Sequence, residues 1–180
     1  MLTKKAFLIV AIFGAFILIA CGQDYDQDDH DNNGGITPEE EACLHANDTP
    51  TQVAAAATPE EAQANINDDH THYRISLVES TETPGEFSGA VTFEPDRDGD
   101  FAIFTSHVVP VQVIDDEGES ESVTTRAVDE CVEMARMHIA DFHDDEIYVI
   151  VFGPTSESEI SVIVEYAGGS GDQDHENHGH

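Results

Sequence analysis

Ten histidines and 38 aspartates and glutamates stand against only six lysines and arginines in this 180-residue chain. Such a chain is rich in groups that ligate metal cations and poor in groups that hold anions. The densest cluster is Asp174-His175-Glu176-Asn177-His178-Gly179-His180, three imidazoles within six residues, with carboxylates beside them. Imidazole suits zinc, copper and nickel, and a flexible run of this kind gathers such ions loosely rather than in one set geometry. An unstructured acidic end with incidental histidines is the alternative reading. A second grouping is spread along the chain at His45, His70, His72, His107, His138 and His143. His70 and His72 are two residues apart, so in a strand they share one face. A folded site drawing on His45, His70, His72, His138 or His143 is a further candidate, although spacing alone does not say which of them meet.

Catalytic signatures are lacking. There is no Gly-x-Ser-x-Gly, no His-Glu-x-x-His and no glycine-rich phosphate loop, and no lysine follows Lys5. A non-enzymatic protein is expected. The formal net charge of −32 repels nucleic acid and anionic lipid head groups, and it attracts cations. Nucleic acid is therefore excluded as a partner. Solubility in saline surroundings, where counterions screen self-repulsion, explains the same charge without any specific ligand.

The N-terminus carries an address. Lys4 and Lys5 precede an apolar run over residues 6–20 that is too short to span a bilayer and has the length of a signal-peptide core. It ends in Leu18-Ile19-Ala20-Cys21, which resembles the signal of a bacterial lipoprotein. That resemblance implies removal of residues 1–20, lipid on the sulfur of Cys21, and attachment to a membrane of the bacterial cell envelope after export. Gly22, in place of an aspartate resembling an inner-membrane retention signal, favours the outer membrane where the source has one. The mature chain then keeps four arginines against 38 acidic residues, a formal charge of −34. With Cys21 lipidated, Cys43 and Cys131 remain as an even pair in an oxidising compartment, which favours one disulfide over two free buried thiols.

Residues 21–36 read as an acidic tether, too polar to bury a core of their own. Residues 37–72 read as a short helical or linker segment. Thr37 serves as helix cap, Pro38 as first helical residue and Glu40 as the partner completing a capping box, with the helix running to about His45. A second short helix is predicted over Pro59–Asn65, capped by Thr58. From Tyr73 the pattern changes to short alternating strands, predicted at Tyr73–Leu77, Phe87–Phe93, Asp100–Thr105, Val108–Ile114, Val123–Val128, Val132–Ile139, Ile147–Phe152 and Ile160–Tyr166. Turn residues separate many of them, and Asp96 to Gly99 reads as a hairpin turn. The fold class that follows is mainly β: a single antiparallel, jelly-roll-like sandwich of about eight strands over residues 73–167. Short N-terminal helices precede it, and the acidic ends, including the Gly/Asp/His-rich tail 168–180, are expected to be disordered.

Two further resemblances bear on function. The segment from Asp29 to Glu40 resembles an EF-hand calcium loop. The resemblance implies oxygen ligands from Asp29, Asp31, Asn33 and Glu40, a sharp turn at Gly34, the backbone carbonyl of Gly35, and Thr37 directly or through water. A helix cap explains Thr37, Pro38 and Glu40 equally well, and no second loop of this form pairs with it. Tyr73-Arg-Ile-Ser-Leu77, Gly89-Ala-Val-Thr-Phe93, Gly99-Asp-Phe-Ala-Ile-Phe104 and Tyr148-Val-Ile-Val-Phe-Gly153-Pro154 together resemble bacterial pre-peptidase C-terminal domains. That likeness implies a non-catalytic accessory or binding module. The expectation is a cell-surface lipoprotein that binds or buffers divalent cations: calcium at Asp29–Glu40, zinc or copper at His175, His178 and His180. A structural or protein-interaction sandwich with no specific ligand is the alternative, its protein partner unknown.

Overall fold

The computed structural model describes residues 36–168, which form a two-layer β-sandwich. One helix, α1 (Pro38–His45), precedes ten strands among the described residues. These are β1 (Thr51–Ala54), β2 (Tyr73–Ser76), β3 (Val78–Glu79), β4 (Phe87–Phe93), β5 (Gly99–Thr105), β6 (Val111–Ile114), β7 (Thr124–Ala127), β8 (Arg136–Phe142), β9 (Tyr148–Thr155) and β10 (Glu159–Gly168). Six of them form one sheet in the order β1-β2-β10-β5-β8-β7, and four form the other in the order β3-β4-β9-β6. All pairings are antiparallel except β1 with β2.

The alternation of side chains along each strand produces two separate cores. Between the sheets lie Ile75, Val91, Phe93, Phe101, Ile103, Phe142, Tyr148, Ile150, Phe152, Val162 and Val164. Phe93, Phe101, Phe142 and Tyr148 meet edge to face with ring centroids 4.7 to 5.7 Å apart, the arrangement that aromatic quadrupoles favour. The opposite side chains of the same central strands, Ala102 and Phe104 on β5, Met137 on β8 and Ile163 on β10, form a second core with Ala42 of α1, Val128 and Met134. The six-stranded sheet is thus covered on both faces at its centre. That explains why Phe101-Ala-Ile-Phe104 is a continuous apolar run rather than an alternating one.

Several boundaries differ from the sequence expectation. Strand β1 and the buried Ile66 lie within the segment read as helix or linker, so residues 37–72 contribute directly to the sandwich. The second helix shrinks to a single 3-10 turn at Pro59–Glu61, whose Thr58 makes no side-chain cap. Strand β8 begins at Arg136 instead of Val132. Residues 128–135 leave the sheet to carry Cys131 toward α1, with Val132 96% exposed because nothing packs against it there. Asp96 to Asp98 is a connection between layers and not a hairpin turn, since β4 and β5 belong to different sheets. Near the C-terminal end of β9, Gly153 has φ +107°, and a Cβ there would lie 2.7 Å from the Phe87 carbonyl oxygen, a place only glycine fills.

One buried histidine belongs to this framework. His138 on β8 is 2% exposed. Its Nδ1 lies 2.9 Å from Thr125 Oγ1 and its Nε2 3.4 Å from Thr105 Oγ1. Burial, with the positive charge of Arg136 adding to it, pushes its pKa from 6.5 down to about 4. The unfolded chain therefore takes up this proton before the folded chain does. The stability contributed is fully present above pH 6.5 and is lost as the pH falls toward 4, amounting to about 3 kcal/mol. Urea unfolding of wild type and His138→Gln across pH 7.5 to 4 checks this: the wild-type curve should fall more steeply than the variant's, by about that amount.

Candidate metal centre

Helix α1 brings the first ligands. Glu41 and His45 are four residues apart and therefore lie on one face of it, one turn apart. An isolated eight-residue helix is marginal in water, so its position depends on what holds it. Thr37 Oγ1 accepts a hydrogen bond from the Glu40 amide at 3.2 Å, and Glu40 Oε2 accepts from the Thr37 amide at 2.8 Å, a complete capping box. Ala42 is buried against the sheet. Arg126 Nη2 lies 3.2 Å from Glu39 Oε1. Cys43, between Glu41 and His45, stands at disulfide distance from Cys131, with Cα atoms 5.8 Å apart.

The third ligand comes from the turn before β2. His70 has φ +55°, a left-handed conformation uncommon outside glycine. Its amide donates to the Val164 carbonyl at 3.2 Å, which ties the turn to β10. On β10, Val162 and Val164 face the inter-sheet core, whereas Ile163 and Glu165 face outward beneath α1. Glu165 is fully buried there.

These elements converge. One ligand atom from each of Glu41, His45 and His70 lies within 4.8 Å of the others. His70 Nδ1 is 3.3 Å from Glu41 Oε1 and 2.5 Å from Glu165 Oε2. That second approach is close but poorly aligned, and neither Glu165 oxygen has a hydrogen-bond partner. The far side of each imidazole faces another carboxylate. His45 Nδ1 lies 2.9 Å from Asp48 Oδ2, and His70 Nε2 lies 3.5 Å from Asp69 Oδ2. A carboxylate behind a histidine fixes its tautomer and leaves the other nitrogen for a metal. Here that assigns Nε2 to His45 and Nδ1 to His70. Burial pushes the Glu165 carboxyl up to about 8, and the nearby charges of Glu41 and Asp69 push in the same direction.

Of the histidines considered for a folded site, only His45 and His70 meet. His72 is buried with Nε2 2.9 Å from Ser161 Oγ and Nδ1 3.0 Å from the Asp48 carbonyl, so both nitrogens are engaged. His138 is engaged by threonines, and His143 stands in a surface loop with Nδ1 3.7 Å from Asp98. Thr37 and Glu40 are occupied with each other in the cap. Cys21, Asp29, Asp31, Asn33, Gly35, His175, His178 and His180 lie outside the described residues. Glu41 and Glu165 were not among the expected ligands. Glu165 had a visible signal: it is the one charged residue in the apolar run from Ile160 to Ala167. Glu41 had none among so many acids. The chain matches no protein-family model and no curated protein. No helix among the described residues is long and apolar enough to cross a membrane.

A bridge between Cys43 and Cys131, 88 residues apart, restricts the unfolded chain by about 4–5 kcal/mol in the loop-entropy picture. Alkylation mass spectrometry without reductant should detect neither cysteine as a free thiol. Urea unfolding of a Cys43→Ala/Cys131→Ala chain should show a loss of that order; retention of full stability would separate the pair from the anchoring of α1.

Proposed function

We propose that this is a non-enzymatic lipoprotein of the bacterial cell envelope, anchored through Cys21, that binds a divalent d-block cation at Glu41, His45 and His70. The observation that carries the reading is the convergence of three ligand atoms within 4.8 Å from two separate elements. The carboxylates of Asp48 and Asp69 behind the two imidazoles support it. Two imidazoles in the set favour zinc, copper or nickel over calcium, which takes six to eight oxygens. The likeness to pre-peptidase C-terminal domains fits a binding module of this kind. The acidic tether and the tail histidines His175, His178 and His180 would raise the local cation concentration around the folded site.

Zinc calorimetry on the full chain in nonionic detergent, in about 0.5 M sodium chloride where screening acts within a few ångströms, tests this. One saturable isotherm is expected, retained in His175→Ala/His178→Ala/His180→Ala and lost in His45→Ala/His70→Ala. Binding that survives the second variant, or heat that salt erases, would leave an acidic interaction module instead. A separate calcium isotherm, with Kd no tighter than about 10⁻⁴ M, should disappear in Asp29→Ala/Asp31→Ala, which leaves the Thr37–Glu40 cap intact.

A further inference from the structure

The four arginines among the described residues all have partners other than Glu165. Arg74 faces Glu159, Arg97 faces Asp96 and Asp69, Arg126 faces Glu39, and Arg136 donates to the Ala135 carbonyl. None is paired with Glu165. A fully buried carboxyl with both oxygens lacking hydrogen bonds is costly and is normally found paired or bound to metal. Its near neighbour, His70, is also approached by Glu41 and Asp69. The imidazole thus stands among three carboxyl groups, of which Asp69 also has Arg97 at 3.8 Å. A metal ion held between Glu41, His70 and Glu165 would engage the Glu165 oxygens, which no hydrogen bond does.

Resting on the cation site proposed above, we infer that Glu165 is a fourth ligand of the same ion. It closes the site as two imidazoles and two carboxylates that take a zinc-class cation in preference to calcium. Glu165 approaches from the sheet, Glu41 and His45 from α1, and His70 from the turn tied to β10. The ion is therefore a clasp between the helix and the sheet. Four protein ligands describe a closed, holding site and not an open catalytic one. The left-handed backbone of His70 fits this role, since strained positions of that kind cluster at ligand clamps.

The test uses the full chain in detergent with the three tail histidines replaced by alanine, titrated with Zn²⁺, with Co²⁺ as a spectroscopic stand-in, and with Ca²⁺. Glu165→Gln keeps the volume and removes the ligand charge; Glu165→Asp keeps the charge and shortens the reach. Both should weaken zinc binding at least about tenfold and alter the visible spectrum of bound cobalt, while calcium competes poorly for the wild-type site. Without metal, Glu165→Gln should melt at or above the wild-type temperature, because it removes a buried unpaired carboxyl. Near-UV circular dichroism checks that the variants fold. In the chain with Glu165 intact, the ¹³C resonance of its carboxyl should move on zinc addition. Unchanged zinc affinity and cobalt spectrum in Glu165→Gln, or a carboxyl resonance that stays still, would overturn the inference and leave Glu165 as a buried partner of His70. That result leaves the three-ligand site standing. No zinc binding by the parent chain would remove both.

Discussion

The structure depends on the six-stranded sheet being covered on both faces. One face meets the second sheet across an aromatic core, as any sandwich requires. The other is covered at β5, β8 and β10 by α1 and by the segment that carries Cys131. Without that second cover the outward side chains of β10 would face water, and Glu165 would be an ordinary solvated acid. With it, a carboxyl sits in apolar ground, next to the turn of His70 and the helix of His45. The cover is thin: α1 has eight residues and one buried side chain. Its cap, its ion pair to Arg126 and the cysteine contact do the holding that a wider apolar stripe does in longer helices.

Charge acts at two scales here. Among the described residues every acid but Glu165 reaches solvent, and at ordinary ionic strength their mutual repulsion is screened over about 10 Å. Such residues govern solubility and the attraction of cations to the surface. Under α1 the screening fails because water is excluded, and a single carboxylate too many must be neutralised locally. The chain uses none of its few arginines for this. Excess surface charge and a buried carboxyl without a cationic arginine partner both follow from the same shortage of positive charge.

The strand-rich texture after Tyr73 was readable because period-two alternation survives wherever one face is buried, as in Tyr73-Arg-Ile-Ser. The Thr37–Glu40 cap was readable because it is a local interaction between residues three apart. Strand β1 was not, since Thr-Gln-Val-Ala has little alternation and exists as a strand through its parallel pairing with β2. Residues 132–135 read as strand on local pattern, but their path is decided by the reach of Cys131 toward Cys43. His45 and His70 were visible as candidates among the scattered histidines, whereas Glu41 was hidden among dozens of equivalent acids and Glu165 stood out only as the lone charge between Ile160 and Ala167.

The sequence by itself determined the fold class and the helix cap, along with the poverty in positive charge. Each of these follows from neighbours in the chain or from simple counting. Only the tertiary structure decided which histidines meet and which one carboxylate is dry. Those depend on contacts between residues far apart in sequence: Glu41 and His45 on α1, His70 in a turn, and Glu165 on the last strand. Composition gives every acidic residue the same standing, and burial sets Glu165 apart from the others near the site.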